Sequence, residues 1–105
     1  MANYLLVYHG GSAPASEEEG ARVMQAWNAW FGTLGEAVVD GGNPIGQTRT
    51  IASDGAVSEG GGANPATGYS VITAESLDAA QAVAKGCPHL ASGGSVEVCE
   101  TFAVM

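Results

Sequence analysis

The segment at residues 4–9, YLLVYH, most strongly limits the folds open to this chain. It combines aromatic and aliphatic residues, among them the β-branched Val7, and stops at Gly10-Gly11, a composition typical of a strand. Side chains alternate along a strand, so its apolar residues divide between the two faces of a sheet: Tyr4, Leu6 and Tyr8 on one, Leu5 and Val7 on the other. We therefore expect a strand that needs packing partners on both faces.

A helix is predicted to begin at Ser16. Ser16 and Glu19 have the spacing of a capping box, and the three acids at residues 17–19 suit the positive end of the helix dipole. Apolar residues then recur at steps of three and four: Val23, Met24, Trp27, Trp30, Phe31 and Leu34. This stripe predicts packing against a sheet, although an alternative is that the two tryptophans line a ligand site. Gly35 is the expected end of the helix.

The middle of the chain is rich in glycine and turn residues. Residues 36–40 are predicted to form a second strand that ends in the turn at residues 41–44, and residues 47–52 to complete an edge hairpin. Residues 58–68 are interpreted as one mobile loop, either a connector or a lid. This loop has neither the GxGxxG nor the GxxxxGK spacing, so it does not resemble a phosphate cradle.

The last third of the chain predicts a strand, a helix and a strand. Residues 68–73 form the first strand, and Ser76 begins a helix whose apolar side chains are Leu77, Ala80, Val83, Ala84 and Cys87. Pro88 prevents the helix from continuing. Residues 95–104 are predicted to form the final strand, in which Glu100 interrupts the apolar face. Either a bulge shifts the register there, or the strand extends at that point beyond the elements that pack on it.

The order of these elements predicts an α+β fold in a single domain, residues 1–105. It fits a ferredoxin-like βαββαβ plan with an extra edge hairpin, an antiparallel sheet and both helices on one face. Two helices cannot cover two faces. The uncovered face of the first strand therefore predicts a homodimer in which the sheets of two copies face each other.

Composition excludes several classes of protein. Three basic residues against eleven acidic ones give a net charge of −8, which would repel nucleic acid. The sequence has no apolar run long enough for a membrane span and no basic leader of a signal peptide, so we expect a cytoplasmic protein. Two cysteines and two histidines, without a metal-binding motif, predict no disulfide scaffold, no metal and no cofactor.

Several segments resemble the YCII-related (DGPF-like) family: Trp27 with Trp30, residues 34–35 before residues 38–44, Gly68-Tyr69, residues 76–80, residues 85–89 and residues 93–98. The resemblance spans nearly the whole chain. It implies a dimeric α+β barrel, the architecture also used by muconolactone isomerase-like and monooxygenase-like small enzymes.

The chain departs from the catalytic pattern that this resemblance implies. YCII-like proteins are thought to use a histidine on the first helix and an aspartate just before a proline after the second. Here the first helix has no histidine, Cys87 precedes Pro88, and the DGPF tetrapeptide is missing. The histidine–aspartate pair therefore cannot be transferred to this sequence.

Six residues remain as candidates for a site: His89 and Asp40 for catalysis, and His9, Tyr69, Cys87 and Glu97 for ligand binding. Imidazole titrates near neutrality, so His89 could act as a general acid or base if Asp40, Glu97 or a second subunit polarised it. Each has a structural alternative: a surface or capping role for His89, a strand-end hydrogen bond for His9 and a turn contact for Asp40. The negative end of a helix should raise the pKa of Cys87, which argues against a thiolate nucleophile.

Two functions follow from these residues. The first is a cofactor-independent enzyme that transfers a proton on a small organic molecule, such as a lactone or enol, in a cavity between sheets. The alternative is a noncatalytic module that binds a small ligand or a partner protein. A cavity that joins His89 to an acidic group would favour the enzyme.

Overall fold

The computed structural model describes residues 1–104 and has an α+β architecture. Its elements in chain order are β1 (Ala2–Gly10), α1 (Glu17–Leu34), β2 (Val38–Asp40), β3 (Arg49–Ile51), β4 (Val57–Glu59), β5 (Ala66–Ala74), α2 (Leu77–Ala84) and β6 (Gly94–Glu100). Short 3-10 turns follow both helices, at Gly35–Ala37 and Pro88–Ser92. Within residues 1–104, no helix combines the length and the apolar character that crossing a membrane requires.

Four of the strands form one antiparallel sheet in the order β2-β5-β1-β6. The long strands β1 and β5 lie in the centre, and Leu6 on β1 stands opposite Ser70 on one side and Val98 on the other. Two helices with this antiparallel sheet confirm the predicted α+β class and are compatible with a ferredoxin-like fold.

The core lies on the face of the sheet that carries the buried side chains of β1. These side chains join residues from β5, both helices and the turn after α2 in a single cluster: Tyr4, Leu6, Tyr8, Trp30, Ile72, Ala74, Ala80, Ala84 and Cys87. Leu6 and Ile72 are completely buried, and burial of each contributes about 1.5 to 3 kcal/mol. Both helices therefore pack on the same face of the sheet.

Helix α1 begins as its sequence predicts. The Ser16 hydroxyl accepts a hydrogen bond from the backbone N–H of Glu19 at 3.1 Å. The Glu19 carboxylate reaches back to the N–H of Ala15 at 3.3 Å, one residue earlier than in a capping box. Gly35, with a positive φ of 55°, ends the helix.

Two residues of the predicted apolar stripes are exposed. Met24 on α1 is 61% exposed and Leu77 on α2 is 48% exposed. Each lies in the first half of its helix. Trp30, Ala80 and Ala84 are the helical side chains that are buried.

The predicted edge hairpin is wrong in its pairing. Strand β3 pairs with β4 in a separate two-stranded sheet, and β2 alone pairs with β5 at the edge of the main sheet. The residues between β3 and β4 form a tight turn, in which the Asp54 carboxylate accepts from the N–H of Ala56 and Gly55 has a positive φ of 90°. This local turn favours neighbouring segments over the more distant β2.

The prediction of one loop over residues 58–68 is also wrong. Val57–Glu59 is strand β4, and β5 already begins at Ala66. Only the segment between them lacks regular structure.

The last strand is shorter than predicted. It ends at Glu100, whereas Phe102 and Val104 are each 80% exposed. The register between β1 and β6 runs without a shift from Gly10 to Tyr4. Glu100 is therefore the point beyond which the chain is no longer packed against the rest of the fold, and no bulge lies there.

Candidate functional site

A cleft of about 410 Å³ lies between the middle of α1 and the segment that follows β2. Aromatic and other large side chains line one wall, and a glycine-rich backbone forms the opposite wall. Its lining residues are Tyr8, Met24, Trp27, Asn28, Phe31, Gly41, Gly42, Asn43, Pro44, Thr67, Gly68, Tyr69 and His89. No Asp, Glu, Lys or Arg of the described residues is among them. The cleft suits a mainly apolar, uncharged ligand.

The aromatic wall is built by contacts among β1 and α1. The ring centroids of Tyr8 and Trp27 are 5.2 Å apart in an edge-to-face arrangement. Those of Trp27 and Phe31 are 5.7 Å apart. Such pairs are worth roughly 0.5 to 1.5 kcal/mol beyond the area that they bury, so this wall is preformed.

His89 lies at one end of the cleft and is held by the backbone. Its Nε2 is 2.9 Å from the carbonyl oxygen of His9, and its ring centroid is 5.4 Å from that of Tyr8. A carbonyl only accepts hydrogen bonds, so Nε2 carries the proton and the neutral ring has its lone pair on Nδ1. The geometry therefore selects one tautomer of His89.

Two glycines leave room for the His89 ring. A Cβ at Gly94 would overlap Nε2 of His89, and one at Gly11 would come within 2.7 Å of its Cε1. Gly11 also has a positive φ of 87°. The ring fits against β1 and β6 only because both positions lack a side chain.

A buried hydrogen-bond relay fixes the floor of the cleft. The Tyr8 hydroxyl donates to Oγ of Ser70 at 2.7 Å, and the Ser70 hydroxyl donates to the carbonyl oxygen of Gly41 at 2.7 Å. Burial is the main factor that raises the pKa of Tyr8 to about 12, so its phenol is neutral near pH 7. The relay joins β1, β5 and the segment after β2.

Asp40 has the turn contact that its sequence context allows. Its carboxylate accepts from the N–H of Gly42 at 2.9 Å, and its side chain is exposed. Gly42 has a positive φ of 77°, and a Cβ there would overlap the carbonyl oxygen of Tyr69. Asp40 thus shapes the wall of the cleft without being among its lining residues.

His9 and Glu97 meet each other away from the cleft. Nε2 of His9 is 2.9 Å from the Glu97 carboxylate, and Nδ1 is 3.0 Å from the carbonyl oxygen of Asn64. Both ring nitrogens face acceptors, so the doubly protonated imidazolium satisfies both contacts. The hydrogen bond to Glu97 is the largest factor that raises the pKa of His9.

The remaining two predicted residues have different surroundings. Tyr69 borders the cleft, but strand alternation places its side chain on the sheet face that the helices leave uncovered, opposite Val7. Cys87 is 3% exposed within the core, and this burial raises the pKa of its thiol. The sulfur is a packing group rather than a nucleophile in this state.

Of the six predicted site residues, the cleft thus contains His89 and Tyr69. The sequence interpretation missed Met24, Asn28 and Phe31 as lining residues, having assigned Met24 and Phe31 to the apolar stripe that packs against a sheet. A usable signal was present: these residues lie at steps of three and four and so share one side of the helix.

The described residues contain no group of three His, Cys, Asp or Glu side chains placed to hold a metal ion.

Comparison with known proteins adds no family to this description. No protein-family model matches the sequence, and no curated protein matches it.

Proposed function

We propose that the protein binds a small, uncharged, largely apolar organic molecule in the His89 cleft. The observation that carries this proposal is the composition of the cleft wall, in which aromatic side chains face glycine backbone without a carboxylate or a permanent cation. Asn28 and His89 supply the polar groups that could orient a ligand. A net charge of −8 further disfavours anions.

A matched pair of probes tests this proposal. Titration with 2-naphthol, followed by tryptophan fluorescence and calorimetry, is expected to show saturable binding, whereas 2-naphthoate should bind at least about tenfold more weakly because its charge is unpaired in the cleft. Met24→Glu places a carboxylate at the cleft and should weaken naphthol binding. Gln25→Glu makes the same charge change at the neighbouring exposed position and should not. Equal effects of the two variants would refute the cleft as the site.

Proton transfer is a second candidate function, favoured by the fixed tautomer of His89. With Nε2 bonded to the carbonyl oxygen of His9, Nδ1 is the atom that would accept a proton from a bound carbon acid and return it. The lack of a carboxylate among the described lining residues leaves His89 without a charged partner there. This arrangement supports the binding function more directly than catalysis.

An exchange assay separates the two functions. Exchange of the α-protons of 2-tetralone in D2O, followed by NMR, should be accelerated by the wild-type protein and not by His89→Gln if proton transfer occurs. His9→Gln is the control, because it removes the other imidazole but keeps the carbonyl to which His89 donates. Equal exchange rates in wild type and His89→Gln would reject catalysis by this residue.

We also propose that a second copy of the chain covers the free face of the sheet. Leu5, Val7 and Val71 lie on this face, and none of them joins the cluster under the helices. A ferredoxin-like fold that pairs through this face would give the dimeric α+β barrel that the YCII-related resemblance implies. Sedimentation should give twice the chain mass of 10.5 kDa, and Val7→Asp should shift it toward the monomer. A wild-type protein that sediments as a monomer would refute this assembly.

A further inference from the structure

An irregular segment, residues 60–65, connects the hairpin of β3 and β4 to the central strand β5. It opens with three consecutive glycines, of which Gly60 and Gly62 have positive φ values of 84° and 90°. Glycines give a backbone many conformations of similar energy. The position of this segment therefore depends on its contacts with the rest of the fold.

One side chain joins this segment to the main sheet through hydrogen bonds. The Nδ1 atom of His9, on β1, lies 3.0 Å from the carbonyl oxygen of Asn64 and 3.3 Å from that of Pro65. Within the described chain, the other hydrogen bonds of the segment link Gly60 to residues 48–50, at the base of the hairpin. The His9 ring thus holds the segment, and with it the hairpin, next to β1.

The His9 ring lies between groups that can only accept hydrogen bonds. Its Nε2 atom is 2.9 Å from the carboxylate of Glu97 on β6, and its Nδ1 atom faces the two carbonyl oxygens of the segment. These oxygens have no proton to donate, and a neutral imidazole carries only one N–H. The protonated ring therefore satisfies both sides, whereas the neutral ring leaves one nitrogen lone pair facing an acceptor.

The contact with the segment is the one that a neutral ring gives up. A hydrogen bond to an ionised acceptor is roughly twice as strong as one between neutral groups, so the remaining proton stays on Nε2 and faces Glu97. The Nδ1 lone pair then lies against the carbonyl oxygens of Asn64 and Pro65 and repels them.

Few charged groups surround the His9 ring, and Glu97 is the one that contacts it. The titratable side chains on the neighbouring elements are Tyr69 on β5, Glu97 and Cys99 on β6, Arg49, Asp54 and Glu59 on the hairpin, and His89 on the other face of the sheet. Arg49 and Glu59 pair with each other. The hydrogen bond to Glu97 is the largest factor that raises the pKa of His9 above 6.5, so the imidazolium is lost as the pH rises through that raised value.

We propose that His9 is a pH-sensitive latch: its imidazolium holds residues 60–65 and the hairpin against the main sheet, and its neutral ring releases them. Glu97 makes the latch sensitive to pH because its carboxylate can only accept. The inference uses contacts within one chain, so it does not rest on the ligand or the dimer proposed above.

NMR of the wild-type protein tests the latch. Between about pH 5.5 and 9, the imidazole nitrogen shifts should show that His9 loses its Nδ1 proton and keeps the one on Nε2. Over the same range, methyl relaxation of Ala63, inside the segment, should report a rise of about two- to tenfold in the open fraction, as expected for the loss of one hydrogen bond. The methyl group of Ala74, at the far end of β5, should not change.

Replacement of Glu97 by glutamine separates the latch from a purely structural contact. The amide of Glu97→Gln can donate to Nε2, so the neutral His9 ring can carry its proton on Nδ1 and keep its bond to Asn64. This variant should show the opposite tautomer of His9 at high pH and no rise in the open fraction. Glu100→Gln makes the same charge change elsewhere on β6 and should behave as wild type.

Two results would overturn the latch. One is a wild-type protein in which His9 titrates while the relaxation of Ala63 stays constant. The other is a Glu97→Gln protein whose segment opens over the same pH range as that of wild type. The wild-type measurement requires no variant to fold, so the inference stays testable if Glu97→Gln is unstable.

Discussion

Replacement of Ser70 is the most informative perturbation of the cleft floor. Its hydroxyl is completely buried and serves twice, as the acceptor for Tyr8 and as the donor to the carbonyl of Gly41. Ser70→Ala leaves the Tyr8 hydroxyl and the Gly41 carbonyl without this partner. Tyr8 is buried whereas Gly41 is exposed, so only one buried group loses its partner. A buried unsatisfied group costs about 1 to 3 kcal/mol, and we expect Ser70→Ala to lower the free energy of unfolding by about that amount.

The direction of the hydrogen bonds makes the effects of the two partners unequal. Tyr8→Phe removes the donor to Ser70 but keeps the bond from Ser70 to Gly41, so it should cost about 0.5 to 1.5 kcal/mol. In Ser70→Ala the Tyr8 hydroxyl has lost its hydrogen-bond acceptor. The combined Tyr8→Phe and Ser70→Ala variant removes this hydroxyl as well. It should therefore be no less stable than Ser70→Ala alone.

Urea unfolding followed by tryptophan fluorescence measures all four proteins of this cycle. A loss of about 1 to 3 kcal/mol corresponds to a melting temperature lower by roughly 4 to 24 °C in a domain of this size. Strictly additive losses in the double variant, or a loss in Ser70→Ala no greater than in Tyr8→Phe, would refute the relay as described.

Further predictions concern the two histidines. The pKa of His9 is raised above 6.5 by Glu97, so its contribution to stability is fully present below pH 6.5 and is lost as the pH rises through the raised value. The melting temperature of Glu97→Gln should thus vary less than that of wild type between pH 6 and 8, and identical pH profiles would contradict this. Gly94→Ala should displace the His89 ring and destabilise the fold by about 1 to 3 kcal/mol in urea unfolding, whereas Gly46→Ala, with open space at its Cβ, should have little effect. An unchanged stability of Gly94→Ala would show that the ring has room to move.

Local sequence signals predicted the starts of the helices and the long strands. Ser16 and Ser76 cap their helices as expected, since a hydroxyl at the N-cap satisfies a nearby backbone N–H regardless of the rest of the fold. The composition of β1 likewise identified a strand, which the structure places in the centre of the sheet. These features depend on contacts within a few residues or on simple periodicity.

Pairing between distant segments was predicted less well. The sequence indicated strands at β2 and β3 but paired them with each other, because nothing in either segment encodes its partner. Their true partners are β5 and β4, chosen by the turn at residues 52–56 and by the register along β5. Residues 102–104 have the alternation of a strand but lie beyond the end of β6.

By itself, then, the sequence determined the class of the fold and the helix caps. Tertiary structure decided what each candidate residue contacts. It placed His89 on a backbone carbonyl 80 positions away and paired His9 with Glu97 across the sheet. It also put Met24 at a cleft rather than in the core. Helix caps follow from neighbouring atoms, whereas a site gathers residues that only the packing of helices on a sheet brings together.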